Sequence, residues 1–403
     1  RSPHPNNDAA HIPGFGAMSD ARPRRPYVTG LPDIDRRIDE LVAAIPATEE
    51  RSAEFLRQII TTAVKMQAED ESLGDLKLVN TALKELRWAF KVFGPTRHSR
   101  KVTVFGSART PPGEPAYEQA RDFGARMAQR GWGVITGAGG GIMAAAHGGA
   151  GREKSWGVNI RLPFEQVANE VVRGGKQLVN FKYFFTRKLI FLKETDAIVL
   201  FPGGFGTHDE GFEALTLIQT GEADPIPVVF VEPAGSGYWR EWHAYVERHL
   251  TAPGLISPDD TALYAVTDDV DAAVAMVERF YRVYHSMRYV GEKLVLRLQA
   301  ELSPQRLVEL NDAFGYIVTS GGIEQSAALD AERGQLAELP RLALRYNRNN
   351  AAGLRRLIDA VNESSDGDLR PVPAVGPAPA EERAERGATP APIESTSSGE
   401  DLE

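Results

Sequence analysis

The chain has 403 residues, with 46 Lys and Arg against 55 Asp and Glu, and therefore a formal net charge of −9. At about 150 residues per domain, this length predicts roughly two to three domains, or one large domain with extensions. The acidic balance argues against non-specific nucleic-acid binding, which relies on clustered Lys and Arg, and the absence of cysteine excludes disulfides, thiolate metal sites and cysteine nucleophiles.

The N-terminal part of the chain resembles expression-vector sequence as far as Ala17, and Met18 opens a plausible native start. We expect 1–30 to be a tag remnant followed by a disordered N-terminus. No secretory signal and no apolar run of the ~20 residues that span a bilayer is recognisable, so we expect a cytoplasmic protein with no membrane partner. Apolar residues at three- and four-residue steps predict a helical N-terminal region over 31–97.

Short apolar runs alternate with helical patterns from residue 98 to about 290. Because such runs without clean alternation are typical of a parallel sheet covered on both faces, we predict an α/β, Rossmann-like doubly wound domain. The predicted strands are 101–106, 133–136, 156–160, 176–181, 197–201, 227–231 and 262–266. The predicted helices are 116–130, 142–149, 183–195, 207–220 and 270–285.

The remaining chain divides at about Ser364. Apolar residues of 307–314 and 354–361 fall on one helical face, which predicts a mostly helical C-terminal region over 291–363. From 364 to 403 the composition changes to Pro, Ala, Glu, Gly and Ser, which cannot bury enough apolar area to offset chain entropy. We therefore predict a doubly wound parallel sheet with helical N- and C-terminal extensions and a disordered tail.

Loops of small residues follow four of the predicted strands. In an open parallel sheet, ligands bind beyond the carboxyl ends of the strands, and a helix that starts there presents free N–H groups that suit a phosphate. The residues that these loops offer to a ligand are Gly106, Ser107 and Arg109, then Gly139, Gly140 and Gly141, then Glu165, and finally Gly203, Gly204, Phe205, Gly206 and Thr207.

The glycines at 139–141 begin a G-x-G-x-x-A pattern after a predicted strand. No acidic residue follows at the end of the second strand, where a dinucleotide ribose would be held. The pattern is therefore a weak sign of NAD binding, and a tight turn with close helix packing explains the glycines equally well. A nucleotide-dependent oxidoreductase is a disfavoured alternative.

Charged residues near the last of these loops allow two interpretations. Thr207 to Glu210 spells a T-x-x-E capping box, and the local sequence favours this capping role for Glu210 over a ligand contact. Arg187 and Lys188 lie in an otherwise apolar helix, where charged residues are seldom placed unless they reach a partner or an anionic ligand. Snorkelling or an ion pair is at least as good an explanation from these residues alone.

Together, the segments 106–109, 136–150, 162–166, 186–188 and 202–210 resemble the LOG family of phosphoribohydrolases, whose members were often labelled lysine decarboxylases. No recognisable motif would seat pyridoxal phosphate. The resemblance implies hydrolysis of the N-glycosidic bond of a nucleoside 5′-monophosphate, AMP or a cytokinin ribotide, to free base and ribose 5-phosphate. It also implies that no metal or cofactor is needed and that the chain forms a homodimer or larger homo-oligomer.

The same resemblance assigns roles to individual residues. It implies Arg187 and Glu210 as the catalytic pair, Gly203 to Thr207 as the phosphate loop, and Glu165, Lys188 and Thr216 as further substrate contacts. The alternative is a non-catalytic nucleotide-sensing module. Retention of both Arg187 and Glu210 favours the enzyme, because a sensor has no need of that pair.

Overall fold

The computed structural model describes residues 27–46, 50–69, 71–161, 167–332 and 334–377. Of the predicted tag remnant and disordered N-terminus at 1–30, residues 1–26 lie outside the described residues. The chain divides into a first unit that ends at Asn80 and a second that begins at Thr81. No helix among the described residues is both long and apolar enough to cross a membrane.

Three helices form the described chain before the first strand. They are α1 (Pro32–Ala43), α2 (Glu50–Ala68) and α3 (Leu73–Phe93). In the first unit α1 packs against α2 and buries Ile38 and Val42, which lie four residues apart and so share one helix face. Helix α3 begins in the first unit and continues into the second.

A seven-stranded parallel sheet forms the centre of the second unit, with the strand order β4-β3-β2-β1-β5-β6-β7. This confirms the predicted α/β, Rossmann-like class. Each predicted strand is present with small shifts at its ends. The strands are β1 (Lys101–Phe105), β2 (Gly133–Thr136), β3 (Ser155–Ile160), β4 (Leu178–Phe181), β5 (Ala197–Leu200), β6 (Val228–Val231) and β7 (Ala265–Thr267).

Helices cover both faces of this sheet. Alternate side chains of β5 enter different cores: Ile198 and Leu200 lie in one, and Ala197 and Val199 in the other. Strands buried on both faces therefore carry continuous apolar runs. The helices are α4 (Pro115–Gln129), α5 (Ile142–Ala150), α6 (Phe184–Glu194), α7 (Phe205–Thr220), α8 (Tyr238–Val246) and α9 (Val270–Arg279).

The order of the strands reverses between β1 and β5. The chain adds β2 to β4 on one side of β1 and then crosses back to place β5 on its other side, paired from Val102 with Ala197 to Phe105 with Leu200. Doubly wound sheets bind ligands at such a switch point. The loops that follow β1 and β5 meet there, and the Ser107 amide donates a hydrogen bond to the Pro202 carbonyl at 3.0 Å.

The prediction of a mostly helical region over 291–363 is wrong in part. Helices α10 (Pro304–Phe314) and α11 (Ala351–Asn362) lie close to where the apolar patterns placed them. Between and around them, however, an antiparallel sheet forms in the order β11-β12-β9-β8. Its strands are β8 (Tyr284–Val290), β9 (Lys293–Leu298), β11 (Glu324–Ser326) and β12 (Arg341–Leu344), while a separate pair joins β10 (Ala300–Leu302) to β13 (Leu369–Pro371).

Two further predictions about this region need correction. Helix α9 ends at Arg279, and His285 lies in β8 rather than in the predicted helix 270–285. The segment predicted to be disordered from 364 contains β13, because Leu369 and its neighbours pair with β10. Short apolar runs such as that of β9 fit a strand or a buried helix equally well by periodicity, which explains the error. Residues 378–403 lie outside the described chain.

Candidate active site

A cavity of about 780 Å³ lies at the switch point, beyond the carboxyl ends of β1 and β5. The loops after β1, β2 and β5 and residues of the four helices α5, α6, α7 and α8 form its walls. Of the residues predicted from the sequence, it brings together Gly106, Ser107, Arg109, Arg187, Gly203, Gly204, Phe205, Gly206, Thr207 and Glu210. Phe105, Ala108, Gly137, Met143, Phe191, His208 and Tyr238 also line it. Most of the predicted nucleotide-binding residues therefore surround one space.

Arg187 and Glu210 contact each other in the wall of this cavity. Arg187 lies on α6 and Glu210 on α7, and the guanidinium Nη2 is 3.4 Å from the carboxylate Oε1. The two side chains are 14% and 7% exposed. The Arg187 guanidinium also lies over the rings of Phe184 and Phe191, 4.8 and 5.6 Å from their centroids. The pair is thus a charged contact in apolar surroundings.

Burial dominates the electrostatics of Glu210. Loss of solvation raises the pKa of its carboxyl from 4.5 to about 7, although the nearby charges of Lys188 and Arg187 act to lower it. Burial likewise lowers the pKa of Arg187. A carboxyl that titrates near neutrality in a cleft is the usual property of a residue that exchanges protons in catalysis.

Helix α7 begins earlier than predicted, and this changes the role of Thr207. The N-cap is Gly204 and the helix starts at Phe205, so Thr207 is its third residue and no side chain caps the helix. The predicted capping box from Thr207 to Glu210 is therefore wrong. Glu210 belongs to the second turn of α7, too far from the N-cap for its carboxylate to cap the helix. The first amides of the helix have no acceptor within it.

The glycines of the loop before α7 have two different roles. A Cβ at Gly203 would collide with the Thr207 side chain and approach the Ser107 amide nitrogen at 2.9 Å. This glycine therefore permits close packing of the two loops. A Cβ at Gly204 or Gly206 would meet no heavy atom within 4 Å. Those two positions leave space beside the uncapped helix start, where an anion could approach the backbone.

Tyr238 supports this loop, although nothing in the sequence marked it as a site residue. Its hydroxyl donates to the Gly203 carbonyl, so its oxygen is left to accept from His208 Nε2 at 2.9 Å. Since a trans peptide directs its C=O and N–H to opposite sides, the Gly204 amide points away from Tyr238. Burial lowers the pKa of His208, because its imidazole is partly shielded from solvent. Tyr238 begins α8, in the segment that follows β6, and that segment carries no recognisable motif. The only hint in the sequence was that β6 would lie beside β5, whose loop ends at the site.

Other predicted residues lie away from the cavity. Lys188 pairs with Asp209 at 2.9 Å and with Glu213, which supports the ion-pair interpretation for this residue. Thr216 donates its hydroxyl to the Phe212 carbonyl and lines a separate cavity of about 80 Å³. Glu165 lies outside the described residues.

The glycines at 139–141 allow a tight turn and a close approach between backbone segments. Gly141 is the N-cap of α5 with a φ of 58°, and a Cβ there would collide with the Ser107 carbonyl. Gly140 faces the Ala108 carbonyl, and the Gly139 carbonyl accepts a hydrogen bond from Asn169. Gly139, Gly140 and Gly141 are not among the described residues that line the cavity. A tight turn with close packing explains them.

Part of the chain is similar to proteins named as phosphoribohydrolases. The family model described as "Possible lysine decarboxylase" matches residues 140–277. The cytokinin riboside 5′-monophosphate phosphoribohydrolase of Mycobacterium tuberculosis is 31% identical over 189 residues, which cover 44% of this chain and 96% of that protein. The protein of the same name from Rhodococcoides fascians is 32% identical over 91 residues, covering 23% of this chain and 44% of its own.

Among solved structures, the molybdenum cofactor carrier protein of Chlamydomonas reinhardtii covers 45% of this chain and 97% of its own, at 21% identity and a TM-score of 0.33. This likeness is too weak to bear on function.

Proposed function

The chain belongs to the LOG family, and from that premise we propose that it is a phosphoribohydrolase. It would hydrolyse the N-glycosidic bond of a nucleoside 5′-monophosphate, AMP or a cytokinin ribotide, and release the free base and ribose 5-phosphate. The observation that carries the proposal is the contact between Arg187 and Glu210 at 3.4 Å in the wall of the cavity beside the start of α7.

The start of α7 fits the 5′-phosphate. The amides of Phe205 and Gly206 have no acceptor in the helix, and the positive end of the helix dipole favours a dianion. Glu210 lies four residues beyond Gly206, about 6 Å along the axis and on the same face. That span is comparable with the length of a ribose 5-phosphate. A phosphate bound at the helix start would therefore place the anomeric carbon beside the carboxylate.

The chemistry then requires only water. The C1′–N bond breaks with its electron pair going to the base, and positive charge develops on the ribosyl carbon. The Glu210 carboxylate would stabilise that charge or accept a proton from the attacking water, whose oxygen bonds to C1′. The departing base takes up a proton and leaves as the neutral molecule. Both roles for Glu210 need its ionised form.

Arg187 has two roles in this proposal. Its positive charge acts against the effect of burial and so keeps part of Glu210 ionised near neutral pH. Its guanidinium would also orient the carboxylate and hold the ribose hydroxyls or the base. Binding energy from the remote phosphate would supply the positioning of the reacting end.

The deciding experiment is chromatography of a reaction of the purified protein with AMP, in search of adenine and ribose 5-phosphate. We expect release of both, and a loss of 100-fold or more in Glu210→Gln and Arg187→Ala. Asp209→Asn is the matched control, because Asp209 is exposed, neighbours Glu210 in sequence and is not among the residues that line the cavity. A Glu210→Gln variant that cleaves AMP at the parent rate would contradict the proposal. A nucleotide sensor would bind AMP and release no adenine.

The homo-oligomer expected from the sequence remains part of the proposal. Size-exclusion chromatography with light scattering measures the mass directly, and a monomer at micromolar concentration would contradict it.

A further inference from the structure

A buried carboxylate of α3, the helix before the first strand, contacts the start of the helix that carries Arg187. Glu85 of α3 is 9% exposed. Its Oε1 accepts a hydrogen bond from the Lys182 amide at 2.5 Å, and its Oε2 accepts one from the Thr186 hydroxyl at 2.7 Å. The two oxygens of one side chain thus bind residues on either side of Tyr183, the N-cap of α6.

Helix α6 needs this partner because its own residues do not cap it. The N-cap is Tyr183, which provides no side-chain cap hydrogen bond. The first amides of any helix lack acceptors, and a negative charge is favourable at that end. Glu85 supplies a negative charge near this end from a different helix, together with an acceptor for the Lys182 amide and for the Thr186 hydroxyl.

Helix α3 can act as a firm support for this contact. Ala89 and Phe93 of α3 are buried in the same apolar core as Ile190 and Phe191 of α6. Because that packing fixes the two helices against each other, Glu85 cannot withdraw without disturbing the core.

Arg187 is the residue after Thr186, and besides its contacts with the rings of Phe184 and Phe191 its guanidinium has one described polar partner, Glu210. Its distance of 3.4 Å from Glu210 exceeds the 2.7–2.9 Å of a strong charge-assisted hydrogen bond. Its buried Nε has no hydrogen-bond partner among the described residues. The position of the guanidinium therefore depends on the backbone of the first turn of α6. The Glu85–Thr186 hydrogen bond fixes that turn.

We propose that Glu85 is a positioning residue for the reaction: its carboxylate holds Thr186 and the Lys182 amide and thereby places Arg187 against Glu210. The catalytic meaning of this role rests on the proposed function. Helix α3 precedes the residues 140–277 that match the family model. The helical extension would then contribute to the active site as well as to the core.

Two pairs of variants test this role. Glu85→Ala removes both hydrogen bonds, while Glu85→Gln keeps an acceptor for Lys182 and a polar partner for Thr186. Thr186→Val keeps the shape and removes the hydroxyl, while Thr186→Ser keeps the hydroxyl. Leu86→Ala is the control, because Leu86 lies on the same helix and packs on the shared core but contributes no polar contact to α6.

The readouts are kcat, KM and the pH dependence of kcat/KM for AMP. We expect Glu85→Ala and Thr186→Val to lower kcat by about 10- to 100-fold and to raise KM by a smaller factor, since Arg187 loses part of its hold on the substrate while the phosphate loop is untouched. The pH at which activity rises should move upward, because Arg187, one of the two cations that lower the pKa of Glu210, is no longer held against it. The Ser and Gln variants should restore activity, and the double variant Glu85→Ala/Thr186→Val should be no worse than the poorer single variant.

Hydrogen exchange of the Lys182 amide provides a readout that does not depend on activity. It should quicken in Glu85→Ala and stay slow in Leu86→Ala. An active parent whose Glu85→Ala and Thr186→Val variants keep kcat and the pH profile would overturn this inference alone. If the unsubstituted protein does not cleave AMP, the proposed function is overturned. If, in addition, exchange of the Lys182 amide is the same in Glu85→Ala as in the unsubstituted protein, the role of Glu85 in holding the start of α6 is overturned as well.

Discussion

The guanidinium of Arg187 lies 3.4 Å from the carboxylate of Glu210, and both side chains are almost completely buried. Burial and charge act in opposite directions on this pair. Desolvation raises the pKa of Glu210 to about 7, and the adjacent cations limit the rise. The carboxylate is therefore divided between its two protonation states near neutral pH, which makes its ionisation measurable in several ways.

The first prediction concerns the pH dependence of catalysis. Because the ionised carboxylate is the active form, kcat/KM for AMP should rise about tenfold per pH unit below 7 and level off above it. Initial rates between pH 5 and 9 measure this limb. Arg187→Ala should move the remaining activity to a higher pH, since the cation lowers the pKa of Glu210. A profile that falls as the pH rises through 7 would assign Glu210 the role of an acid.

The second prediction concerns stability. Folding raises the pKa of Glu210 from 4.5 to about 7, so the folded state binds this proton more tightly and stability is lost as the pH rises through that interval. Glutamine is uncharged at every pH. Glu210→Gln should therefore match the parent near pH 4.5 and exceed it at pH 8.5 by at most about 3.5 kcal/mol, at ~1.4 kcal/mol per pKa unit. Denaturant unfolding at both pH values measures the difference, and a Gln variant less stable at pH 8.5 would contradict it.

The third prediction separates the two kinds of glycine before α7. Gly206→Ala should raise helix stability by up to about 1 kcal/mol and weaken AMP binding about tenfold or more, because its methyl group enters open space at the expected phosphate position. Gly203→Ala should instead destabilise the fold by about 1–3 kcal/mol through its collision with Thr207. Thermal melting and KM for AMP test both. Equal effects on melting would argue against this division of roles.

The fourth prediction concerns Tyr238, whose hydroxyl binds the Gly203 carbonyl. Tyr238→Phe should raise KM for AMP about tenfold, because the peptide that presents the Gly204 amide loses its anchor, and should cost about 1 kcal/mol of stability. Tyr245→Phe on the same helix is the control, since Tyr245 is exposed and is not among the residues that line the cavity. A normal KM in Tyr238→Phe would show that the loop holds its shape without this hydrogen bond.

The seven parallel strands could be predicted from the sequence because burial on both faces produces continuous apolar runs such as those of β1 and β5. The strands after residue 290 could not, because a run as short as β9 carries no distinguishing period. The start of α7 was misplaced for a different reason. A glycine N-cap has no side chain, and the threonine three residues later looked like a better one.

The candidate site divides in the same way. The loop residues could be predicted because glycines and small residues after parallel strands mark places where a ligand can approach the backbone. Tyr238 could not, since a single hydroxyl bound to a carbonyl leaves no spacing in the sequence. Glu85 and Thr186 are 101 residues apart, and only the packing of α3 against α6 brings them together.

The uncapped start of α7 has a consequence for the lifetime of the protein. No side chain caps its first amides, so an anion that binds them in the cavity favours the folded chain by mass action. Unfolding and proteolysis should then slow as the ligand concentration rises above its dissociation constant. When the ligand is scarce, the start of α7 would stay exposed and the protein would be degraded faster. The amount of protein would then rise and fall with the concentration of its ligand.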